Sequence, residues 1–202
     1  MEQSVTEAPE ELDLTTERIL DAALEQFERA GIRGSSVEAV ARRAGVTRVT
    51  VYRRFPRKEV LVDAVTAREA RRMIAAADER IAEIADAEER VVEGFTFLLE
   101  QIRAHPLTRR LLAVEPGAVL PALTLDAGPV LATATAYVGE QIRRGQREGV
   151  FPDYDPEPVA ELLVRFGHST LLARRAVLDL DDEREVRRFA REHLTPILKR
   201  AA

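Results

Sequence analysis

The sequence predicts an all-α fold of about nine helices, a small N-terminal three-helix module followed by a larger helical body. Three observations carry that prediction. Apolar residues recur at three- and four-residue steps along most of the chain, the runs are bounded by caps and breakers, and the one stretch that looks like a strand fails the strand test. With 202 residues, 46 % of them hydrophobic and 32 % charged, the chain can bury one substantial core and a small second module. Its apolar runs stop short of the roughly 18 residues that a membrane-crossing helix needs. The opening MEQSVTEAPEELD has neither a basic nor an apolar region, so a cytoplasmic location and no membrane partner are expected. The absence of cysteine excludes disulfides and thiol chemistry.

Residues 1–14 are expected to form a disordered acidic tail, because the first thirteen hold five acids and no base. From about Thr15 to Ala30, the spacing of Ile19, Leu20, Ala23, Leu24 and Phe27 predicts a helix that stops at Gly31. Ser35 and Glu38 fit a capping box before Val37, Val40, Ala41 and Ala44, and Gly45 can supply the left-handed residue that ends this second helix. The strand-like stretch is AGVTRVTVYRRF, residues 44–55. Its apolar residues do not keep one parity, since Val46 and Tyr52 are even while Val49, Val51 and Phe55 are odd. As a helix capped by Thr47, it sends Val51 and Phe55 inward and Val49, Thr50 and Arg53 to another face. Each β-branched residue lowers helicity by only a few tenths of a kcal/mol, roughly, which packing can offset.

The pattern continues with a helix from about Arg57 into the 80s, in which Val60, Leu61, Ala64 and Val65 close the small core before Met73, Ile74, Ala77, Ile81 and Ile84 join a larger one. Asp86 and Glu89 mark the next start, and that helix ends at His105-Pro106. Prolines 116, 121 and 129 and glycines 117 and 128 break the following stretch into short helices. Another helix is expected over about Pro129–Glu148, then one over about Pro156–Leu178 capped by Asp155, and a last one from about Asp182 that Pro196 weakens.

Charge is segregated. Between Arg33 and Lys58 lie eight bases (Arg33, Arg42, Arg43, Arg48, Arg53, Arg54, Arg57, Lys58) and one acid, Glu38, a local +7 within a chain of net −5. The remainder therefore carries −12, the distribution of a body with one face suited to a polyanion. Two short helices joined through Ala44-Gly45-Val46-Thr47 are a helix-turn-helix arrangement. From Thr15 to about Val65 the chain resembles the DNA-binding domain of the TetR (tetracycline repressor-like) family of bacterial transcriptional regulators. The resemblance runs through SSVEAVARRAGVTRVTVYRRFPRKEVL, with its Ala-Gly-Val-Thr turn, Tyr52, Phe55, Lys58 and Glu59. It implies a DNA-binding domain over 15–62 and a regulatory and dimerisation domain over 63–202.

The resemblance makes residues 47–54 the recognition helix in the major groove, with Arg48, Val49, Thr50 and Arg53 nearest base edges. Ser36, Thr47, Tyr52, Arg54 and Lys58 would lie nearer phosphates. The chemistry suits those places: arginine pairs with guanine O6 and N7, and the methyls of Val49 and Thr50 match a thymine methyl. Tyr52 has a second reading, as a packing residue of the small domain. Arg42 and Arg43 read as solvated positions on the second helix.

Two further expectations follow from the resemblance. A small-molecule effector would enter the larger domain, with Phe95, Leu98, Leu99, Leu112, Tyr137, Arg165, Phe166 and His168 as candidate lining, although ordinary core or surface roles stand open for each. A homodimer reading a palindromic double-stranded operator would be built from the last two helices, through Ala160, Val164, Gly167, Leu171, Val186, Phe189, Ala190, His193, Leu194 and Ile197. No cofactor or metal is expected. Nor is enzymatic activity, since His105, His168 and His193 are far apart in sequence and no HExxH, phosphate-loop or Gly-x-Ser-x-Gly motif occurs. The competing readings are a helical interaction protein that docks through its helix-turn-helix and a DNA-binding regulator without an effector.

Overall fold

The computed structural model describes residues 9–173 and 178–200. Those residues are mostly helical, without a strand among them. In chain order the helices are α1 (Pro9–Ala30), α2 (Val37–Ala44), α3 (Arg48–Arg54), α4 (Lys58–Ile81), α5 (Ala87–Ala104), α6 (Pro106–Val114), α7 (Pro116–Leu123), α8 (Gly128–Arg147), α9 (Pro156–Leu172) and α10 (Glu183–Phe189). A π-helical turn, Ala190–Leu194, leads from α10 into α11 (Thr195–Arg200).

Local chemistry explains most boundaries. Gly31, Gly45 and Gly149 take positive φ values of 75°, 65° and 73° after α1, α2 and α8, where a residue without a Cβ costs least. Asp86 caps α5 by accepting from the Glu89 N–H, and Asp155 caps α9 with Pro156 at its first position. Three expected boundaries shift. Helix α1 already contains Pro9–Leu14, which the acid-rich composition assigned to the tail; the rest of that tail, 1–8, lies outside the described residues. Helix α9 ends at Leu172 instead of Leu178, with Ala173 extended, and 174–177 lie outside the described residues. The last helix, expected as one from about Asp182 that Pro196 weakens, is α10, a π turn and α11, with Pro196 inside α11. The π turn before it widens the register, which accommodates a residue that has no N–H and crowds the preceding turn.

The chain divides into two compact units. The first holds the residues up to Arg68 together with Pro106–Leu123, and the second holds Glu69–His105 with Thr124 onward. The expected division between 62 and 63 therefore moves, because α6 and α7 pack with the N-terminal helices. Leu107 is buried in the same core as Ile19, Phe27, Val40, Val51, Phe55, Leu61 and Val65. Arg68 closes this unit from α4, almost fully buried, with its guanidinium on Asp21 at 2.9 Å and Glu17 at 3.2 Å. The core of the second unit gathers Ala87, Val92, Ile142, Phe151, Ala160, Leu163, Ala190, Leu194 and Leu198. Among the described residues no helix is long and apolar enough to cross a membrane.

Candidate nucleic-acid interface

Helices α2 and α3 meet through a turn fixed at three points. Gly45 donates its N–H to the α2 carbonyls of Ala41 and Arg42 in the left-handed conformation. Arg18, from α1, donates to the Ala44 carbonyl at 2.6 Å, placing a cation at the negative end of α2. Thr47 caps α3, its hydroxyl accepting from the Thr50 N–H at 3.1 Å. Val51 and Phe55 then anchor α3 in the core. The opposite face is left to solvent: Arg48, Val49 and Arg53 are exposed, and Val49 is 76 % accessible. A β-branched residue displayed in the first turn of a short helix contributes little to the fold, which leaves its methyls available to whatever approaches that face.

Of the expected base readers, Arg48, Val49 and Arg53 share this open face, whereas Thr50 is half-buried with its hydroxyl 2.9 Å from that of Thr47. Arg48 is the most constrained. Its Nη1 lies 2.7 Å from Glu38 Oε1 on α2, its Nη2 is 3.4 Å from the Tyr52 hydroxyl, and its guanidinium stands over the Tyr52 ring at 5.1 Å. The hydrogen bond to Tyr52, then the Glu38 carboxylate, raise its pKa further above the ordinary arginine value. The packing reading of Tyr52 holds for its ring, which lies against the core, while its hydroxyl meets Arg48.

The expected phosphate contacts divide. Ser36 and Thr47 stand exposed at the starts of α2 and α3, where unpaired N–H groups favour an anion. Arg54 Nε donates to Thr16 on α1 at 3.2 Å, and Lys58 Nζ donates to the Ser35 carbonyl at 2.6 Å. Both side chains brace the module from within as well as adding charge. Arg43 pairs with Glu25 at 2.7 Å on the surface. The expected capping box is corrected: Ser36, not Ser35, caps α2 by accepting from the Ala39 N–H, and the buried Ser35 hydroxyl donates to the Gly31 carbonyl. Glu38 is thereby released from the box and turns to Arg48. The capping box was expected at Ser35 with Glu38 because Ser35 and Ser36 are equally good caps; burial separates them, with Ser35 inside and Ser36 exposed.

In the second unit the candidate effector and dimer residues overlap. The rings of Phe95 and Phe166 stack at 6.0 Å, Phe166 and Phe189 at 5.2 Å, and Phe189 meets the exposed His193 at 5.0 Å. One aromatic column thus joins residues assigned to two separate sites. Leu99 is buried and Leu98 half-buried on α5, and His168 is half-buried on α9. Two lining assignments are corrected. Leu112 packs against the core of the first unit, and Arg165 is exposed, held by Glu161 one turn earlier at 2.6 Å. On the dimer side Ala160, Val186, Ala190 and Leu194 are buried within the chain's own core, which removes them from a surface that a second copy can touch. Val164, Gly167, Leu171, Phe189 and Ile197 remain half-buried, with His193 exposed.

Tyr137 is a strongly perturbed polar group of this unit. Its hydroxyl is buried without a hydrogen-bond partner, and burial, aided by the charge of Asp78, pushes its pKa up to about 12. Gln141, one turn on, donates to Asp78 at 3.0 Å, and its own Oε1 is buried and unpartnered.

A capped, glycine-turned pair of helices with a cationic, partly apolar outer face defines a helix-turn-helix DNA-binding module. Residues 19–65 match the family described as bacterial regulatory proteins, tetR family, and this segment belongs to it. An uncharacterized HTH-type transcriptional regulator of Mycobacterium tuberculosis is 33 % identical over 94 residues, 46 % of either chain; the match spans about half the length of that relative. YhgD of Bacillus subtilis, another uncharacterized HTH-type regulator, is 25 % identical over 73 % of this chain and 77 % of its own. Among solved structures, the TetR family repressor AlkX from Dietzia sp. superposes with a TM-score of 0.71 at 20 % identity, over 92 % of this chain and 96 % of that one. FadR of Bacillus subtilis, solved in complex with stearoyl-CoA, does so with a TM-score of 0.58 at 18 % identity, over 92 % and 98 %. The last two likenesses establish the all-helical fold.

Proposed function

We propose that the protein is a transcriptional repressor that binds a palindromic operator as a homodimer, blocks its promoter by occupancy and is released by a small-molecule effector. The observation that carries the DNA-binding part is the outer face of α3. It places Arg48, Val49 and Arg53 in solvent on a helix locked by its inner face, as a reader of the major groove requires. Arg48 and Arg53 supply donors for guanine, Val49 supplies a methyl surface for thymine, and Ser36 and Thr47 present helix starts to the flanking phosphates. The helical docking alternative is disfavoured by the local +7, since an apolar docking face has no use for that charge.

Dimerisation is supported by the apolar surface left on α9, where Leu162 is 54 % and Leu172 42 % accessible. Val164, Gly167 and Leu171 lie between them, half-buried. The effector reading is supported by the unmet polar atoms of Tyr137 and Gln141 in the larger unit, groups that can orient a ligand among apolar walls. A protein of the same fold, FadR of Bacillus subtilis, is described in complex with stearoyl-CoA. Release would require the effector to favour the DNA-incompetent state, by about 5.5 kcal/mol for a nearly complete switch.

Selection of binders from a random duplex pool tests this reading. A recovered palindrome whose half-sites lie about 34–36 Å apart is expected. Arg48→Ala is expected to relax choice at one base pair by about 1–3 kcal/mol. Recovery of no sequence preference at low salt would dismiss operator binding.

A further inference from the structure

The stretch from Arg33 to Lys58 contains a single acid, Glu38, which stands in the first turn of α2 but does not make the capping bond that its position suggests. Ser36 supplies the α2 cap. The Glu38 carboxylate instead holds Arg48 Nη1 at 2.7 Å while the Tyr52 hydroxyl and ring engage the rest of the guanidinium. An exposed arginine otherwise samples many rotamers and loses side-chain entropy when a partner fixes it. Here two partners from two helices hold it over the outer face of α3 before any nucleic acid arrives.

We propose that Glu38 is a specificity-determining positioning residue that aims Arg48 at a base edge and withholds it from phosphates. Two physical effects act together. The first is pre-organisation. Each terminal nitrogen of the guanidinium carries two N–H groups, so bonds to Glu38 and Tyr52 leave one on each free to make the paired contact with guanine O6 and N7. The second is competition. A phosphate that approaches the free N–H groups meets a guanidinium whose charge Glu38 already offsets, and the same carboxylate repels it. A matched base carries no net charge to be repelled and needs no new rotamer. Non-cognate binding, which consists mainly of phosphate contacts, is therefore weakened more than operator binding. The inference rests on the proposed role of Arg48 as a base reader.

The test uses the full-length protein, the duplex recovered by random-pool selection, and a duplex changed only at the base pair that Arg48→Ala relaxes. Wild type, Glu38→Gln, Glu38→Asp, Arg48→Ala and the double variant Glu38→Gln/Arg48→Ala are titrated at several salt concentrations, with thermal melts as a control on folding. Glu38→Gln is expected to tighten binding to the altered duplex more than to the operator. Discrimination at that pair should fall about two- to fivefold, the range an exposed ion pair supports. Discrimination at other pairs should hold. Glu38→Asp, too short to keep the contact, should behave likewise although it keeps its charge. In the Arg48→Ala background, Glu38→Gln should change both duplexes by one common factor.

A Glu38→Gln protein that keeps full discrimination at that pair would overturn the inference while leaving Arg48 as the reader. So would an equal loss of discrimination in both backgrounds, which would mean that Glu38 acts without Arg48. If Arg48→Ala changed preference at no position, the base-reader assignment would fail and the inference with it.

Discussion

Lys58 illustrates how one side chain can carry two duties that a single measurement would confuse. Its ammonium donates to the Ser35 carbonyl at 2.6 Å, which pins the loop before α2, yet it has two further donors and sits at the start of α4, where its charge opposes the helix dipole. A bound phosphate would relieve that opposition. Lys58→Ala is therefore expected to weaken binding to all sequences by a similar factor and to lower the salt slope by about 1. Titrations at two or more salt concentrations check this. A loss of thermal stability with an unchanged slope would mean that Lys58 is a brace and touches no phosphate. Residue chemistry at Val49 was readable in advance, because its failure to fit a strand left exposure as its reason for being there. The role of Glu38 was not, since both serines before α2 are competent caps and the choice depends on which one Gln26, Gly31 and α2 enclose.

At the scale of elements, the second unit is fastened by charge. Glu93, on α5, is mostly buried and accepts from Arg80 of α4 at 2.6 Å and from Arg187 of α10. Arg187 also pairs with Glu183 at 2.8 Å and Glu89 at 3.6 Å. Burial pushes the Glu93 carboxyl up, but the bonds from Arg80 and Arg187 outweigh it and hold it below the usual carboxylate range. A folded pKa below the unfolded one means that the stability is complete above the unfolded value, about 4.3, and is lost as pH falls through the folded value. Glu93→Gln should thus be less stable than wild type at pH 7, near the low end of the about 3–5 kcal/mol for breaking a buried pair, because Arg80 reaches solvent. The gap should shrink as pH drops below about 4; denaturant melts across pH measure it. The connection that leaves α8 folds back on that helix at a tighter joint. A Cβ at Gly145 would overlap the ring of Phe151, itself buried in the second core. Gly145→Ala is expected to cost about 1–3 kcal/mol through displacement of that ring, and equilibrium unfolding would register it.

For the whole molecule, binding must act against its own charge. The chain carries −5 overall although its helix-turn-helix stretch carries +7, so a duplex is drawn to one face and repelled by the remainder. If a dimer contacts about 6–10 phosphates, affinity should fall by about 10³–10⁵ between 50 and 200 mM salt. A fluorescence anisotropy series checks this, and salt-independent binding would favour the docking alternative. The DNA-binding module was legible because a helix-turn-helix depends on local chemistry at fixed offsets: a small residue at Ala41, a left-handed glycine at Gly45, a capping Thr47 and an inward Val51. Partner surfaces were less legible. Leu162 and Leu172 face solvent while Ala160 and Leu163 are buried, and all four belong to one apolar helix whose stripes look alike in sequence.

Taken alone, the sequence determined the all-helical class, the order of the helices, the turn that joins α2 to α3 and the face of α3 that stays outside. Those features follow from backbone preferences and from periodicity along one segment, and both act over a few residues. Only the tertiary structure decided that Leu107 and Leu112 join the N-terminal core, that Ala190 and Leu194 point inward, and that Glu38 grips Arg48. Each of these depends on which surfaces of distant segments come within reach of one another, and periodicity within a single helix does not specify its neighbour.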